Sequence, residues 1–148
     1  QTYTGVAIMT ENNRSAEYAC ALIIKDRKML LGRRAHFRAA YPNCWDFIGG
    51  KIEEGETAEQ ALTRELGEEI AISPSQPSYF DKIKDIHADN ENPPIYHFFK
   101  VYDWSGGEPT INNHEHSHLE WFTLEQACDL SNLALPEYRE LLRSSLAS

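Results

Sequence analysis

Apolar residues fall along this chain into short alternating or continuous runs, and clusters rich in Pro, Asn, Ser and Gly separate those runs. Runs of this length predict β-strands, and the polar clusters between them predict turns. The predicted strands are Tyr18–Ile24, Met29–Gly32, Trp45–Ile48, Tyr79–Ile86, Ile95–Tyr102 and Leu119–Phe122, with a further candidate at Gly5–Met9.

A different spacing, with apolar residues three and four positions apart, predicts a long helix from Thr57 to Ile70. Thr57 and Gln60 have the spacing of a capping box, in which each side chain bonds the backbone N–H of the other residue, so Thr57 is the predicted N-cap. At about 100° per residue, one broad arc of this helix faces the core. The arc consists of Ala58, Ala61, Leu62, Leu66 and Ile70.

Two further helices are predicted towards the end of the chain. One runs from Pro136 to Leu146, and a shorter one begins at Thr123, where Thr-Leu-Glu-Gln repeats the capping pattern. Strands grouped around few helices predict an α+β sandwich, and the length predicts a single domain over residues 1–148.

Three glutamates break the division of the long helix into an apolar and a polar face. Glu65 and Glu69 project at or inside the apolar arc, and Glu68 lies at its margin. Carboxylates three and four residues apart lie about 5–6 Å from each other at Cβ and repel one another. A divalent cation such as Mg²⁺ or Mn²⁺ removes this repulsion, because it prefers oxygen ligands and keeps positions open for phosphate oxygens. The alternative for such a run of charges is a solvated acidic face.

Charge limits the partners that fit this chain. It has 148 residues, with 14 Lys and Arg against 23 Asp and Glu, and therefore a formal net charge of −9. Proteins that bind nucleic-acid polymers or anionic membranes carry basic surfaces, so neither is an expected partner. No apolar run reaches the roughly 18–20 residues that cross a bilayer. A small phosphorylated ligand is compatible with an acidic protein when cations mediate the contact.

The three cysteines, Cys20, Cys44 and Cys128, are odd in number, widely spaced, and form no Cys-x-x-Cys pair. They are expected to be free thiols in a reducing compartment. Because Gln1-Thr2-Tyr3 also lacks the pattern of a signal peptide, the expected location is the cytoplasm.

A longer motif points to the chemistry of the acidic helix. Gly50 is followed after five residues by Glu56, and after seven more by the run Arg64-Glu65-Leu66-Gly67-Glu68-Glu69-Ile70-Ala71-Ile72. This resembles the Nudix box, G-x5-E-x7-R-E-U-x-E-E-x-G-U, with every fixed position matched except the last glycine. Six specified residue types at about 7% each match by chance on the order of once in 10⁵ such chains.

The resemblance covers most of the chain beyond the box. Leu31-Gly32-Arg33-Arg34-Ala35 resembles the arginine pair at a strand end of MutT-like members, and the run from Trp45 to Glu53 resembles their W-x-F-P-G-G-K-x-E motif. Glu115, six residues before Trp121, matches a late acidic position of the metal site in MutT-like enzymes. The family fold, an α/β/α sandwich around a mixed β-sheet, agrees with the strands and helices predicted above.

The resemblance implies a hydrolase that cleaves a diphosphate linkage in a nucleoside diphosphate joined to another group. In this family divalent cations, Mg²⁺ with Mn²⁺ as a substitute, bridge the enzyme and the diphosphate. The implied metal ligands are the carboxylates of Glu65, Glu68, Glu69 and Glu115 and the carbonyl of Gly49. Glu65 is the first candidate for the general base that activates water, and Glu115 is the second.

The resemblance gives other residues supporting roles. Glu56 and Arg64 are implied to pair and to orient the start of the helix, an exposed ion pair being the alternative. Gly50 is implied to allow a tight turn close to the bound ion. Arg33 or Arg34 is implied to contact the phosphate or the base of the substrate, a surface salt bridge being the alternative for either.

Two positions depart from the family pattern. Ala71 replaces the box glycine that would end the helix in the left-handed conformation, at about 1–2 kcal/mol, unless the helix ends differently before Ser73-Pro74. Ile48 replaces the usual proline before Gly49-Gly50. Neither change removes a ligand, so activity is expected to survive both.

The sequence leaves several functions open. The favoured substrate is a (deoxy)nucleoside triphosphate, an oxidised one included, over a dinucleotide or a nucleotide sugar of the ADP-ribose type. The late asparagine by which MutT-like sanitising enzymes read oxidised guanine has no clear counterpart near Asn132.

Two other classes are a catalytically inactive Nudix-fold nucleotide-binding regulator and an acidic cation buffer. The segment His114-Glu115-His116-Ser117-His118 also allows a zinc site, although no cysteine or second histidine pair with metal spacing lies nearby.

Overall fold

Nine strands and three helices make up the described part of the chain, which in the computed structural model comprises residues 14–88 and 91–146. The strands are β1 (Glu17–Lys25), β2 (Lys28–Arg34), β3 (Trp45–Asp46), β4 (Ile48–Lys51), β5 (Ser73–Ser75), β6 (Ser78–Lys84), β7 (Ile95–Val101), β8 (Asp103–Ser105) and β9 (His116–Thr123). The helices are α1 (Ala58–Ile70), α2 (Leu124–Cys128) and α3 (Tyr138–Leu146). The strand predicted at Gly5–Met9 lies outside the described residues.

The main sheet contains seven of these strands and is mixed. Its order is β3-β2-β1-β7-β6, with β4 also paired to β1 and β9 also paired to β2. Strands β1 and β7 run parallel, whereas the other named pairs in the sheet are antiparallel. Strands β5 and β8 form a separate two-stranded sheet.

Strand β1 is buried on both faces and divides the core in two. Its residues Ala19, Ala21 and Ile23 pack with the apolar arc of α1, which contributes Ala61, Leu62, Leu66 and Ile70. The alternate residues Cys20, Leu22 and Ile24 pack on the opposite face against side chains of α2 and α3, among them Ala127, Leu141 and Leu142. Helices therefore cover both faces of the sheet, and the predicted α/β/α sandwich is confirmed.

Two predicted boundaries differ from the structure for local reasons. The predicted strand Trp45–Ile48 is two strands, because the chain changes partner at Phe47: β3 pairs with β2, and β4 pairs with β1. The last helix begins at Tyr138 rather than at Pro136, since Tyr138 and Arg139 first form tight turns back to the carbonyls of Leu135 and Pro136.

Helix α1 begins as predicted, and the residue that follows its last turn has an unfavourable backbone conformation. The N–H of Gln60 donates to Oγ1 of Thr57 at 3.1 Å, and the N–H of Thr57 donates to Oε1 of Gln60 at 2.9 Å, which completes the capping box. At the other end Ala71 adopts the left-handed conformation, with φ 59° and ψ 37°, and its N–H donates to the carbonyl of Leu66. Ala71 therefore ends the helix in the left-handed conformation that the family pattern assigns to a glycine.

None of the helices among residues 14–88 and 91–146 has the length and apolar character that crossing a membrane requires.

Candidate metal and nucleotide site

The glycine pair of β4 brings backbone directly against helix α1. A Cβ built on Gly50 would overlap the carboxyl group of Glu65, so only glycine leaves room for that side chain. Gly49 pairs with Cys20 of β1, and a Cβ there would overlap the carbonyl of Ala19. The Gly-Gly motif is therefore explained by close packing on both sides of β4.

The C-terminal end of α1 holds the segment that carries Glu115. The last carbonyls of a helix lack partners within it. Here the N–H of Thr110 donates to the carbonyl of Ile70 at 3.2 Å, and the N–H of Asn112 donates to that of Glu69 at 2.8 Å. Glu115 follows three residues later, just before β9, and is thereby brought to the side of α1 that carries Glu69.

Three carboxylates meet at this point. Glu65, Glu69 and Glu115 each offer one oxygen, and these oxygens all lie within 4.8 Å of one another. We call these three residues the carboxylate cluster. Like charges so close together repel unless a cation or a proton lies between them. The cluster therefore offers oxygen ligands suited to a metal ion, and a bound cation would relieve the repulsion between the carboxylates.

Glu69 is the most deeply buried member of the cluster, with 1% of its surface exposed. Among the described residues, neither of its carboxyl oxygens has a hydrogen-bond partner. Burial raises the pKa of Glu69 to about 10, and the carboxyl groups of Glu65 and Glu115 add to the effect. Buried polar atoms in proteins are normally hydrogen-bonded, so this carboxyl group, whose Oε1 lies 3.3 Å from the ring of His116, is the group of the cluster best suited to bind a cation.

Arg64 ties Glu65 to the start of α1. Its Nε donates to Oε2 of Glu56 at 2.7 Å and its Nη2 to Oε1 at 3.0 Å, so the pair is bidentate. Nη2 also donates to the carbonyl of Lys51, and Nη1 donates to Oε2 of Glu65 at 2.7 Å. The hydrogen bonds from Arg64 lower the pKa of Glu56 to about 2. The structure thus places Glu56 and Arg64 where they fix both the box loop and one oxygen of Glu65.

Glu68 lies apart from the carboxylate cluster. Its side chain is 58% exposed, and its nearest charged partner is Nη1 of Arg64 at 3.6 Å. The structure therefore brings together three of the four predicted carboxylates and leaves the fourth at the edge of the site.

A cleft of about 390 Å³ opens above the carboxylate cluster. Glu65, Glu69 and Glu115 line one end together with Gly49 and Gly50. The remaining lining includes an aromatic pair, Tyr18 and Tyr96, whose ring centroids lie 5.1 Å apart on neighbouring strands. This volume lies within the roughly 300–1,000 Å³ range of small-molecule sites. The cleft thus has two aromatic rings in the same lining as the carboxylate cluster.

The two arginines predicted to contact substrate occupy different positions. Arg34 lines the cleft, where its Nη1 lies 3.2 Å from Oδ2 of Asp46 and its Nε donates to the carbonyl of Ala40 at 2.7 Å. Arg33 lies outside the described lining and donates from Nε to the carbonyl of Asn43 at 3.3 Å. Of these two arginines, only Arg34 therefore lies where it could contact a ligand bound in the cleft.

His116 belongs to the cleft, although the sequence pointed to it only as part of a zinc candidate. Its Nδ1 lies 3.3 Å from Oε1 of Glu69, and both side chains are almost fully buried. Burial, followed by the charges of Arg34 and Arg38, lowers the pKa of His116 to about 4, so the imidazole is neutral at physiological pH. His114 and His118 are exposed, and no metal-binding group found among the described residues includes them.

Space for His116 comes from a glycine in β2. A Cβ added to Gly32 would lie 2.6 Å from Cδ2 of His116 and 2.7 Å from Cδ1 of Ile48. Glycine in a strand interior often marks such a close approach. This glycine, within the Leu-Gly-Arg-Arg run, was the one sequence signal that could have pointed to a ring packed against β2.

The carboxylate cluster and the cleft beside it together have the features of a site for a divalent cation and a small ligand. Comparison with known proteins identifies the family. The NUDIX domain family model matches residues 15–144. The chain belongs to the Nudix hydrolase family, whose members generally use divalent metal ions and hydrolyse phosphoric anhydride bonds.

Individual relatives agree with this assignment. The CTP pyrophosphohydrolase of Escherichia coli (strain K12) is 34% identical over 113 residues, which are 75% of this chain and 78% of that protein. The nucleoside triphosphatase NudI of Enterobacter sp. (strain 638) is 33% identical over 135 residues, 86% of this chain and 94% of that protein. The crystal structure of a MutT NUDIX hydrolase from Burkholderia pseudomallei matches with a TM-score of 0.76 and 27% identity, covering 88% of this chain and 97% of that chain. The predicted MutT-like Nudix fold and hydrolase class are therefore confirmed.

Proposed function

We propose that this Nudix hydrolase is a Mg²⁺-dependent pyrophosphohydrolase of nucleoside triphosphates. The observation that carries the proposal is the Glu69 carboxyl group, buried and without a hydrogen-bond partner among the described residues, in contact range of two further carboxylates. Burying an ionised carboxylate without a partner is strongly unfavourable. A cation held by Glu65, Glu69 and Glu115 would remove that penalty and would supply positive charge for the phosphates of the substrate.

The donor set fits Mg²⁺, or Mn²⁺ in its place. Both ions prefer oxygen ligands, whereas zinc sites in proteins use cysteine and histidine more often. We propose Glu65, Glu69 and Glu115 as the ligands, with the Gly49 carbonyl and Glu68 as further candidates at the edge of the cluster. When bound, the ion neutralises the diphosphate and lowers the pKa of a coordinated water molecule.

The residues around the ion have separate tasks. Glu65, whose Oε2 accepts from Nη1 of Arg64 at 2.7 Å, keeps the place that the family resemblance gives it as our first choice to accept the proton of the attacking water. Glu115, whose Oε2 accepts from Nδ2 of Asn113 at 3.3 Å, is the second. Buried His116 excludes solvent beside Glu69.

The relatives favour a nucleoside triphosphate, and the lining of the cleft suits the base of a nucleotide. Two relatives carry names with nucleoside triphosphatase or CTP pyrophosphohydrolase activity. Tyr18 and Tyr96 provide a surface on which a base can stack. Asn132 donates from Nδ2 to the carbonyl of Asn43 at 2.9 Å, so its amide already has a structural role and gives no particular support for an oxidised guanine.

We also propose that residues 1–148 act as one domain and that the enzyme works in the cytoplasm. The family model spans 15–144, and Cys20, Cys44 and Cys128 are all free thiols. Free thiols are the rule in reducing compartments.

The substrate proposal is tested by incubating the purified protein with Mg²⁺ and a panel of compounds. The panel contains the common and oxidised (deoxy)nucleoside triphosphates, dinucleotides and ADP-ribose, and phosphate and pyrophosphate release are both measured. We expect turnover of at least one triphosphate, and loss of that turnover in a chelator. Cleavage of ADP-ribose or dinucleotides with no cleavage of any triphosphate would contradict the substrate class.

Glu65→Gln tests the role of the proposed base. General-base catalysis contributes about 10²–10⁴-fold in rate, so we expect kcat to fall by about a thousandfold while the circular dichroism spectrum and melting temperature stay close to wild type. Glu59→Gln, at an exposed position in the first turn of the same helix, is the matched control and should keep full activity. A Glu65→Gln enzyme with nearly normal kcat would rule out this residue as the base.

A further inference from the structure

Two members of the carboxylate cluster are each paired with an arginine, and the two arginines are held very differently. All three guanidinium nitrogens of Arg64 are engaged, with Glu56, Glu65 and the Lys51 carbonyl. Arg38 uses only Nη1, which lies 3.0 Å from Oε1 of Glu115 and donates to the Glu115 carbonyl at 3.4 Å. Among the described residues, Nε and Nη2 of Arg38 have no hydrogen-bond or ion-pair partner.

Arg38 is placed to reach into the cleft. It lies in the loop between β2 and β3, lines the same cleft as the carboxylate cluster, and keeps 26% of its side chain exposed. Its loop is fastened beside Glu115, because the N–H of Ala35 donates to the Glu115 carbonyl at 3.0 Å and the N–H of Arg38 donates to that of Ala35 at 3.1 Å. The guanidinium is thus anchored near the cluster, while two of its donor atoms have no partner within residues 14–88 and 91–146.

The charge around Glu115 changes when a divalent cation binds. Without the ion, Arg38 is the cation that offsets the charge of Glu115, and it also lies close enough to influence Glu69. With the ion on Glu115, a second positive charge at the same carboxylate becomes repulsive. A polyphosphate bound to that ion brings new negative charge to the same place. A guanidinium with free donors matches phosphate oxygens in pairs, which an ammonium group cannot do.

We propose that Arg38 is a phosphate-binding residue that alternates between two anions. In the metal-free protein it is the counter-ion of Glu115. Once the cation occupies the carboxylate cluster, Arg38 leaves the carboxylate and binds a phosphate group of the triphosphate. This inference rests on the proposed function, and it makes two separate predictions, one for metal binding and one for substrate binding.

Arg38→Gln tests both predictions in the intact protein, and they have opposite signs. Mn²⁺ binding without nucleotide, measured by electron paramagnetic resonance or calorimetry, should tighten about threefold or more, because a positive charge that competes with the ion is gone. The KM for the triphosphate should rise about tenfold or more, because a charge-assisted contact with phosphate is lost. A residue that only shapes the loop would not tighten metal binding while weakening substrate binding.

Two further variants complete the test. Arg38→Lys keeps the charge without the planar fork, so Mn²⁺ affinity should remain near wild type while KM stays raised. Arg143→Gln removes an exposed arginine of α3 that pairs with Glu140, and should change neither value. Thermal unfolding without metal shows that each variant is folded.

Weaker Mn²⁺ binding in Arg38→Gln would overturn the proposal, since Arg38 would then serve to position Glu115 as a ligand. An unchanged KM would overturn it as well. If the wild type neither binds Mn²⁺ nor cleaves a triphosphate, the proposed function fails and this role fails with it. A failure confined to the Arg38 variants leaves the proposed function standing.

Discussion

Glu69 shows how one residue can define a site through its surroundings. Helical periodicity places it beside the apolar arc of α1, and the sheet and β9 then cover it until 1% of its surface remains exposed. Its neighbours Glu65 and Glu115 add charge, and the nearest histidine is neutral. Such a carboxylate either binds a proton or binds a metal ion. Because Glu69 lines the cleft, we propose that the metal ion is its partner in the active enzyme.

Gly32→Ala tests the packing that supports this carboxylate. The new methyl group would press on His116 and Ile48, and overpacking of a well-filled core costs about 1–3 kcal/mol. We expect a lower free energy of unfolding in urea, and weaker Mn²⁺ binding because His116 lies against Glu69.

Gly67→Ala is the matched control for that change. Gly67 is exposed on α1, and a Cβ there meets only the Ile72 carbonyl, at 3.9 Å. Alanine stabilises an exposed helical position by up to about 1 kcal/mol relative to glycine. A Gly32→Ala protein as stable as wild type would show that the ring of His116 has room to move.

At the residue level, the sequence predicted the relative positions of side chains where the spacing along a helix fixes them. Glu65 and Glu69 could be placed on one side of α1 because the helical repeat fixes their relative positions. Glu115 could be found only through the family resemblance, since no local pattern joins it to α1. Arg38 could not be found, because its pairing with Glu115 spans 77 positions and depends on how a loop packs.

Helix α1 is the element that organises the site. Arg64, in the middle of the helix, fixes the box loop through the Lys51 carbonyl, and at the second, C-terminal end the carbonyls of Glu69 and Ile70 hold residues 110–112, which lead to Glu115. One helix thus carries two of the carboxylates and positions the segment that carries the third. Ala71 weakens the second end, because its left-handed backbone conformation is unfavourable for a residue with a side chain.

Ala71→Gly tests this view of the helix end. Glycine adopts the left-handed conformation without a steric penalty, so the free energy of unfolding should rise by about 1 kcal/mol. Ala71 is exposed and contacts no member of the carboxylate cluster, so kcat and KM should stay at wild-type values. Chemical denaturation and steady-state kinetics give both quantities. A destabilised variant would mean that the methyl group of Ala71 contributes more than the strain removes.

At the level of elements, the sequence predicted the interiors of helices and strands better than their boundaries. The capping box of α1 was readable because two side chains and two N–H groups lie within four residues. The division of Trp45–Ile48 into β3 and β4 was not, because it results from a change of strand partner that only the assembled sheet determines.

On the scale of the whole molecule, the proposed function requires an acidic protein to bind an acidic substrate. The net charge is −9, while Arg34 and Arg38 line the cleft next to the carboxylate cluster. The sheet holds the aromatic pair of Tyr18 and Tyr96, helix α1 supplies two carboxylates, and the segment before β9 supplies the third. The sheet, helix α1 and the segment before β9 therefore each contribute residues to the lining of the cleft.

The most direct test of this account is anomalous diffraction from crystals grown with Mn²⁺ and a non-hydrolysable nucleoside triphosphate. We expect an anomalous peak about 2 Å from carboxylate oxygens of Glu65, Glu69 and Glu115, in contact with the phosphates of the analogue. A fully bound analogue with no anomalous peak at these three side chains would contradict the central claim that they hold the catalytic cation.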